Sequence, residues 1–513
     1  MVKENELNKK EKFFNRFLFK IEVLGNKIPD PMILFLFFSV TTIVLSFILS
    51  KIGFSAVNPA TNKTVEVFNL LSREGISRML VSAISNFTKL PALGMVLVCM
   101  LGVGVCDRSG LFSVGLKNMV ANSKGSDLKI ITIFVFASVM ADATGGTGFV
   151  VMPPLGALIF SAMGRNPLAG MFCAYASVSG AFASNLLITS MDIVNLSFTE
   201  AAAKLVDSNI VLSPAINYYF SAFSVIILNI ISVLVTIKIV EPRLGLLKEK
   251  SEQQACNITD LEKKAMKPTC ISIFLYILVL IVCSIPENSV FRDMKTGSLF
   301  ASAAPLMKSL PLLIAFLFLI PGIVFGLKSK NFKNSKDIVK ALGEAMADMG
   351  PYIALIFVIA QFLSYFAWSN MGIILAIKGA MFLKNSGFPI LVILILFIIM
   401  SSFINLVIGS ASTKWAILSP IFVPMFMFLG YHPGMTQMAY RIGDAISNPI
   451  CPTFAYFGML LALAQKYDKN AGIGTLMANM LPYTIAFFIC MVLQFIVWFI
   501  FEIPFGPGAP LFL

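Results

Sequence analysis

Long apolar runs separated by short charged segments make up most of the chain, and they recur at the length a lipid bilayer demands. A helix crosses the hydrocarbon core with about 20 apolar residues. Runs of that kind fall near 31–51, 91–106, 166–190, 215–240, 269–286, 309–327, 349–368, 433–460 and 472–503. They predict nine transmembrane helices in an all-α polytopic membrane protein. Two further apolar regions, 129–163 and 387–429, are interrupted by small polar residues. The first interruption reads Asp142-Ala143-Thr144-Gly145-Gly146-Thr147-Gly148, and the second Gly409-Ser410-Ala411-Ser412-Thr413-Lys414-Trp415. Irregular backbone at membrane depth is tolerated only where protein or a water-filled cavity surrounds it. Both regions therefore read as re-entrant helical hairpins. Two full spans joined by an exposed polar loop are the alternative that hydropathy permits.

The two interrupted regions are also copies of one another. Pro154 and Pro420 are 266 residues apart, and Gly164 with Gly430 and Pro167 with Pro433 share that offset. At the same spacing Thr147 meets Thr413, Phe149 meets Trp415, and one interruption meets the other. Five spans, an odd number, separate the two regions, so the copies are inverted. Inverted repeats with broken helices meeting near the membrane midplane are the sequence signature of a secondary transporter.

Charge then sets orientation. Lysine and arginine cluster before residue 30, in the 241–268 loop (Arg243, Lys248, Lys250, Lys263, Lys264, Lys267) and in the 327–345 loop (Lys328, Lys330, Lys333, Lys336, Lys340). Basic loops stay in the cytoplasm. These readings divide the chain into a cytoplasmic segment 1–30, a first half 31–240 and a cytoplasmic linker 241–268. A second half, 269–503, and an extracytoplasmic tail, 504–513, follow. The first 30 residues are polar and basic and the first apolar run is long enough to span, so no cleavable signal is expected.

Composition excludes whole classes of function. The 513 residues are 58% hydrophobic and 13% charged, with a mean hydropathy of +0.86, whereas a soluble domain carries about 25% charged residues. The formal net charge of +13 lies in short loops between apolar runs, which argues against a nucleic-acid partner. The eight cysteines form no Cys-x-x-Cys pair, so neither zinc nor a disulfide framework is indicated; they read as buried free thiols.

Charged residues inside spans are costly and usually functional. Arg441 and Asp444 lie three apart, on one helix face. Arg441 offers a planar fork suited to a carboxylate, and Asp444 an anionic oxygen suited to Na⁺ or a proton; an internal salt bridge between the two is the plainer reading. Asn405 lies one turn before Gly409. Together with Asp444 and the carbonyls freed by the break, it would make an all-oxygen cation site. Ser412 and Thr413 open the following half-helix, whose N-terminus suits an anionic group. Trp415 offers a ring face to an aromatic ligand or else packs in the core, and Lys414 reads as reaching water at the tip. Asn448, Pro449 and Pro452 free carbonyls or kink the helix. In the first copy the candidates are Asp142, Thr144 and Thr147, then Asn185 and Asp192, the last also readable as an interfacial aspartate.

At these residues the sequence resembles the p-aminobenzoyl-glutamate transporter (AbgT) family. The likeness rests on Asn405 with 409–418, on Pro420-Ile421-Phe422-Val423-Pro424-Met425, on Tyr440-Arg441-Ile442-Gly443-Asp444, on 465–469, and on 25–27, 101–105 and 164–170. The resemblance implies a homodimer in the bacterial inner membrane, with nine spans and two hairpins per subunit arranged as a scaffold and a transport core. It implies cation-coupled movement of p-aminobenzoyl-glutamate or sulfonamide-like compounds, with no cofactor beyond Na⁺ as a coupling ion. Its site residues would fall on Asn405, Ser412, Trp415, Pro433, Arg441, Asp444 and Asp192. The first tip departs from the family's pattern: Gly145-Gly146-Thr147-Gly148 stands where relatives carry a Ser-Asp-Ala-type tip. The reading from another class is an intramembrane protease using Asp444 and Asp468. Arg441 stands where its Gly-x-Gly-Asp motif needs a glycine, and the two acids come in the wrong order.

Overall fold

The computed structural model describes residues 31–57, 63–121, 126–144, 146–245, 258–299, 304–454 and 456–513. The expected N-terminal segment 1–30, Gly145, Cys256, Lys248, Lys250 and the side chains of Thr144 and Thr147 lie outside the described residues. Among those described, every regular element is helical apart from two short antiparallel strands, Ser55–Val57 and Thr64–Glu66, with Ala56 opposite Val65.

The helices follow one another in an order that repeats. A helix at Pro31–Ile52 is followed by Arg73–Thr88, Pro91–Arg108 and Leu111–Ala121. In the second half Leu310–Lys328 is followed by Ser335–Ala347, Gly350–Trp368 and Met371–Asn385. Each half then continues into four helices that frame the site. In the first half these are α1 (Asp127–Met140), α2 (Gly146–Ala162), α3 (Pro167–Gly180) and α4 (Ser190–Ala203). In the second they are α5 (Ile390–Val407), α6 (Ala411–Phe428), α7 (Pro433–Ser447) and α8 (Phe457–Ala464). A long helix closes each half, Tyr218–Val235 running on to Leu244 in the first and Ile473–Ile500 in the second. Packing is reciprocal. Pro31–Ile52 lies on Gly350–Trp368 while Leu310–Lys328 lies on Pro91–Arg108, and the two closing helices pack on one another. Such an exchange of equivalent partners is what a two-fold relation between the halves produces.

The 266-residue offset holds down to single hydrogen bonds. Gly164 and Gly430 both have positive φ, at 71° and 89°, a conformation that costs glycine nothing and ends a helix cleanly. The Arg165 N–H donates to the Phe160 carbonyl at 2.8 Å and the Tyr431 N–H to Phe426 at 3.0 Å. The next residue is an N-cap in both copies. Asn166 Oδ1 accepts from the Leu168 N–H at 2.9 Å, and His432 Nδ1 from the Gly434 N–H at 3.1 Å. Pro167 and Pro433 then occupy the first helical position, where proline's missing donor is not needed.

Nine helices among the described residues are long and apolar enough to cross a membrane, but they are not the nine that hydropathy suggests. The two arms of the second interrupted region, α5 and α6, qualify separately. The runs 166–190 and 433–460 do not, because neither is one helix. The first unwinds between Gly180 and Ser190, the second between Ser447 and Phe457. The causes are local. Thr189 and Asp192 form a capping box that starts a new helix inside an apolar run. In the other copy Pro449 and Pro452 deny the helix its donors. Among the described residues each half thus carries two breaks, at 141–144 and 181–189 in the first, and at 408–410 and 448–454 with Tyr456 in the second.

Candidate functional site

All four breaks open onto one cavity. It holds about 340 Å³, and its lining takes Asp142 from the first break, Phe182 and Thr189 from the second, and Ser190 and Met191 from the start of α4. Gly409 and Ser410 come from the third, Ala411 and Ser412 from the start of α6, and Thr453, Phe454 and Tyr456 from the fourth, with Phe149 from α2. The size is within the range of small-molecule sites, about 300–1,000 Å³.

One wall is aromatic. Phe149 and Tyr456 stack in parallel with ring centroids 4.5 Å apart and planes at 2°. Phe454 meets Phe149 edge-on at 5.2 Å, and Phe182 meets Phe454 at 5.8 Å. The opposite character comes from helix starts. The N-termini of α4, at Ser190, and of α6, at Ala411, both reach the lining, and free N–H groups with partial positive charge collect at such ends. Ser410 caps α6 and accepts from the Thr413 hydroxyl at 2.8 Å. Ser412 remains half-buried on the cavity surface. The sequence pointed to Ser412 and to the α6 N-terminus. The aromatic wall and the α4 N-terminus escaped it, although the Thr189–Asp192 capping spacing was there to read.

Behind the lining stand two buried ion pairs, and neither is the Arg441–Asp444 pair that the spacing on α7 suggests. The Arg441 guanidinium holds Asp192 through Nη1. Its Nε and Nη2 donate to the Phe182 carbonyl at 3.2 and 2.7 Å. The other oxygen of Asp192 accepts from the Thr189 N–H at 2.6 Å and from its hydroxyl at 2.9 Å. Asp192 is therefore buried against Arg441 rather than interfacial, and the two pin the second break from both sides. Arg441 is 3% exposed, so its fork is already engaged by protein groups.

Asp444 takes Lys414 as its partner. The Lys414 ammonium, expected at the aqueous tip, is 1% exposed and also donates to Asn405 Oδ1. The Asn405 amide is turned by its own donors: Nδ2 lies 3.0 Å from the Asp444 carbonyl, 2.9 Å from Ser447 Oγ and 2.8 Å from Asn448 Oδ1. The two oxygens read as cation ligands, one from Asn405 and one from Asp444, do converge on one point. They do so on the chain's own cation. A single carboxylate and a neutral carbonyl fit a monovalent cation; among the described residues no group of three acidic, histidine or cysteine side chains comes together for a metal.

Trp415 is fully buried. It stacks on Tyr440 at 4.5 Å and 19°, and its indole N–H donates to the Thr199 hydroxyl at 2.8 Å and the Asn195 carbonyl at 3.1 Å. Thr199 passes the chain to Gln437 at 2.6 Å, and Gln437 to Asn217 at 2.8 Å. These bonds tie α4 to α6 and α7 across the two halves, and the ring faces are spent on packing. Pro433 opens α7 away from the cavity lining. Asp142 sits in a tight turn, Ala141–Thr144, on the lining, within electrostatic reach of Asp192, Arg441 and Asp444. The two acids of the protease reading have separate partners, Lys414 for Asp444 and the Asn470 N–H, at 2.9 Å, for Asp468.

Two halves that repeat one order of helices, with membrane-length helices in each and two breaks per half gathered around one cavity, define a multi-pass membrane transporter. The chain belongs to the AbgT putative transporter family, whose model matches residues 16–513. It is 34% identical over 490 residues to the p-aminobenzoyl-glutamate transport protein of Escherichia coli (strain K12), covering 95% of each chain. Among solved structures, the Neisseria gonorrhoeae MtrF protein, described as illuminating a class of antimetabolite efflux pumps, superposes with a TM-score of 0.89. The two share 37% identity over 96% of this chain and 100% of that one. The Alcanivorax borkumensis YdaH transporter, described as having an unusual topology, gives a TM-score of 0.87. Its identity is 35%, covering 93% of this chain and all of that one.

Proposed function

We propose that the protein is a secondary active, cation-coupled transporter of p-aminobenzoyl-glutamate or related aromatic carboxylates and sulfonamide-type antifolates. The carrying observation is the cavity, whose lining holds both a cluster of aromatic rings and the N-termini of two helices. A ligand with an aromatic ring at one end and carboxylates at the other matches that division. The ring lies against Phe454 and the Phe149–Tyr456 stack, and a carboxylate meets the N–H groups and hydroxyls at Ser190, Ser410 and Ser412. The names of the E. coli and N. gonorrhoeae relatives support this class of cargo. In the same reading the breaks at 141–144 and 408–410 are hairpin tips at membrane depth, Asp444 and Asn405 form the cation site, and Asp142 and Thr147 complete the first tip. The basic loops face the cytoplasm of a bacterial inner membrane, and two subunits pair as a homodimer.

The test is uptake of labelled p-aminobenzoyl-glutamate into proteoliposomes, with a sodium or a proton gradient imposed separately. Accumulation above the external concentration under one of them is the expected result. Flux that merely equilibrates under both gradients refutes cation coupling. The cavity makes a sharper prediction. Phe454→Ala should weaken p-aminobenzoyl-glutamate and a sulfonamide alike by about 5- to 10-fold, the loss of roughly 1 kcal/mol of aromatic contact. Titration of both ligands against the purified variant reads this directly, and unchanged affinity for both removes the aromatic wall from recognition.

A further inference from the structure

The Lys414 ammonium occupies the point on which the Asn405 and Asp444 oxygens converge. We propose that Lys414 is a tethered competitor for the cation site. Its ammonium and a mobile monovalent cation exclude one another there, so Lys414 sets how tightly such a cation is held. The inference rests on the reading of Asn405 and Asp444 as cation ligands, and concerns occupancy rather than transport.

Three observations carry it. The ammonium is buried and reaches both oxygens at once, so no second cation fits between them while it stays. The Asn405 amide is held by Asp444, Ser447 and Asn448 through its nitrogen, so its oxygen stays aimed at the site whatever fills it. Lys414 lies on α6, the arm after the break, whereas Asn405 lies on α5, the arm before it. A lysine stem reaching back across a break can withdraw with α6 without dismantling the oxygens, which remain with α5 and α7. Leaving Asp444 buried with no cation would be severely unfavourable. Withdrawal of Lys414 and entry of a cation therefore go together, and the exchange keeps one positive charge beside one carboxylate throughout.

The test is thermal unfolding of the purified protein in sodium chloride against choline chloride at equal ionic strength, which needs no substrate and no flux. Wild type should unfold at nearly the same temperature in both salts. Lys414→Ala should be stabilised by sodium, on the order of 2–3 °C at a concentration 100-fold above its dissociation constant. Lys414→Ala/Asp444→Asn, which removes both charges, should fold and lose the sodium response. Three outcomes overturn the proposal: a wild type that responds to sodium as strongly as Lys414→Ala, a Lys414→Ala that ignores sodium, and a Lys414→Ala that fails to fold in either salt. In the last, sodium has not replaced the ammonium. Failure of gradient-driven uptake would instead refute the coupling reading and leave this result standing.

Discussion

Asp444→Asn should abolish concentrative transport and destabilise the protein by about 3–5 kcal/mol, the usual cost of removing one partner of a buried pair. The substitution keeps shape and takes away only the charge, so Lys414 is left with neutral oxygens in a buried site. Stability and transport then separate in a second variant. Adding Lys414→Met removes the stranded ammonium and should recover most of the lost stability, because an apolar side chain of similar length replaces an ion pair at little cost. Transport should not return, since no carboxylate remains to exchange cations. Unfolding midpoints and proteoliposome uptake for the single and double variants read the two effects. Wild-type-like accumulation by Asp444→Asn would remove the residue from the mechanism.

Arg441→Ala should be as costly, again about 3–5 kcal/mol, and for a different reason. The guanidinium serves Asp192 and the Phe182 carbonyl together, and so fixes both the unwound stretch that supplies Phe182 and Thr189 to the cavity and the start of α4 that supplies Ser190 and Met191. Arg441→Lys keeps the charge but cannot present that fork. It should therefore weaken carboxylate-bearing and sulfonamide ligands by similar factors, because it disturbs the wall rather than one end of the ligand. A loss confined to ligands with a carboxylate would show that Arg441 reads the carboxylate itself once the substrate displaces Asp192. Restored stability in Asp192→Asn/Arg441→Gln would confirm that the single variant's cost is an unpaired buried charge.

Most of what made the site findable was linear. Glycines and prolines keep their spacing across 266 residues because each performs a backbone task that other residues do poorly, and polar residues in an apolar run stand out against lipid. The interruptions at 142–148 and 409–415, the acids within apolar runs and the N-terminus of α6 at Ser412 and Thr413 were legible on those grounds, though its cap, Ser410, was not singled out. What was not legible depended on which element faces which. Arg441 and Asp444 share a face of α7 and so look like partners, yet each turns to a charge elsewhere. Asp192 lies 249 residues away, and Lys414 reaches over a break that no helical spacing rule crosses. Trp415 could not be assigned to ligand or core without knowing that Tyr440 and Thr199 wait for it. The breaks inside 166–190 and 433–460 were hidden by hydropathy, which counts apolar side chains and is blind to an unwound backbone carrying the same residues.

The contact between α2 and α3 bears on how the molecule can move. A side chain at Gly156 would begin 2.3 Å from the Gly170 carbonyl oxygen, and one at Gly170 would begin 2.2 Å from that of Gly156. At this crossing the two helices thus meet backbone on backbone, with the Phe160 ring beside the contact. A push on the turn at Asp142 that displaces α2 reaches α3 without backlash and arrives at Phe182, where α3 gives way to the second break. A rigid joint of this kind would make α2 and α3 move as one body with two ends at the same cavity, and an alanine at either glycine would be a shim driven into that joint.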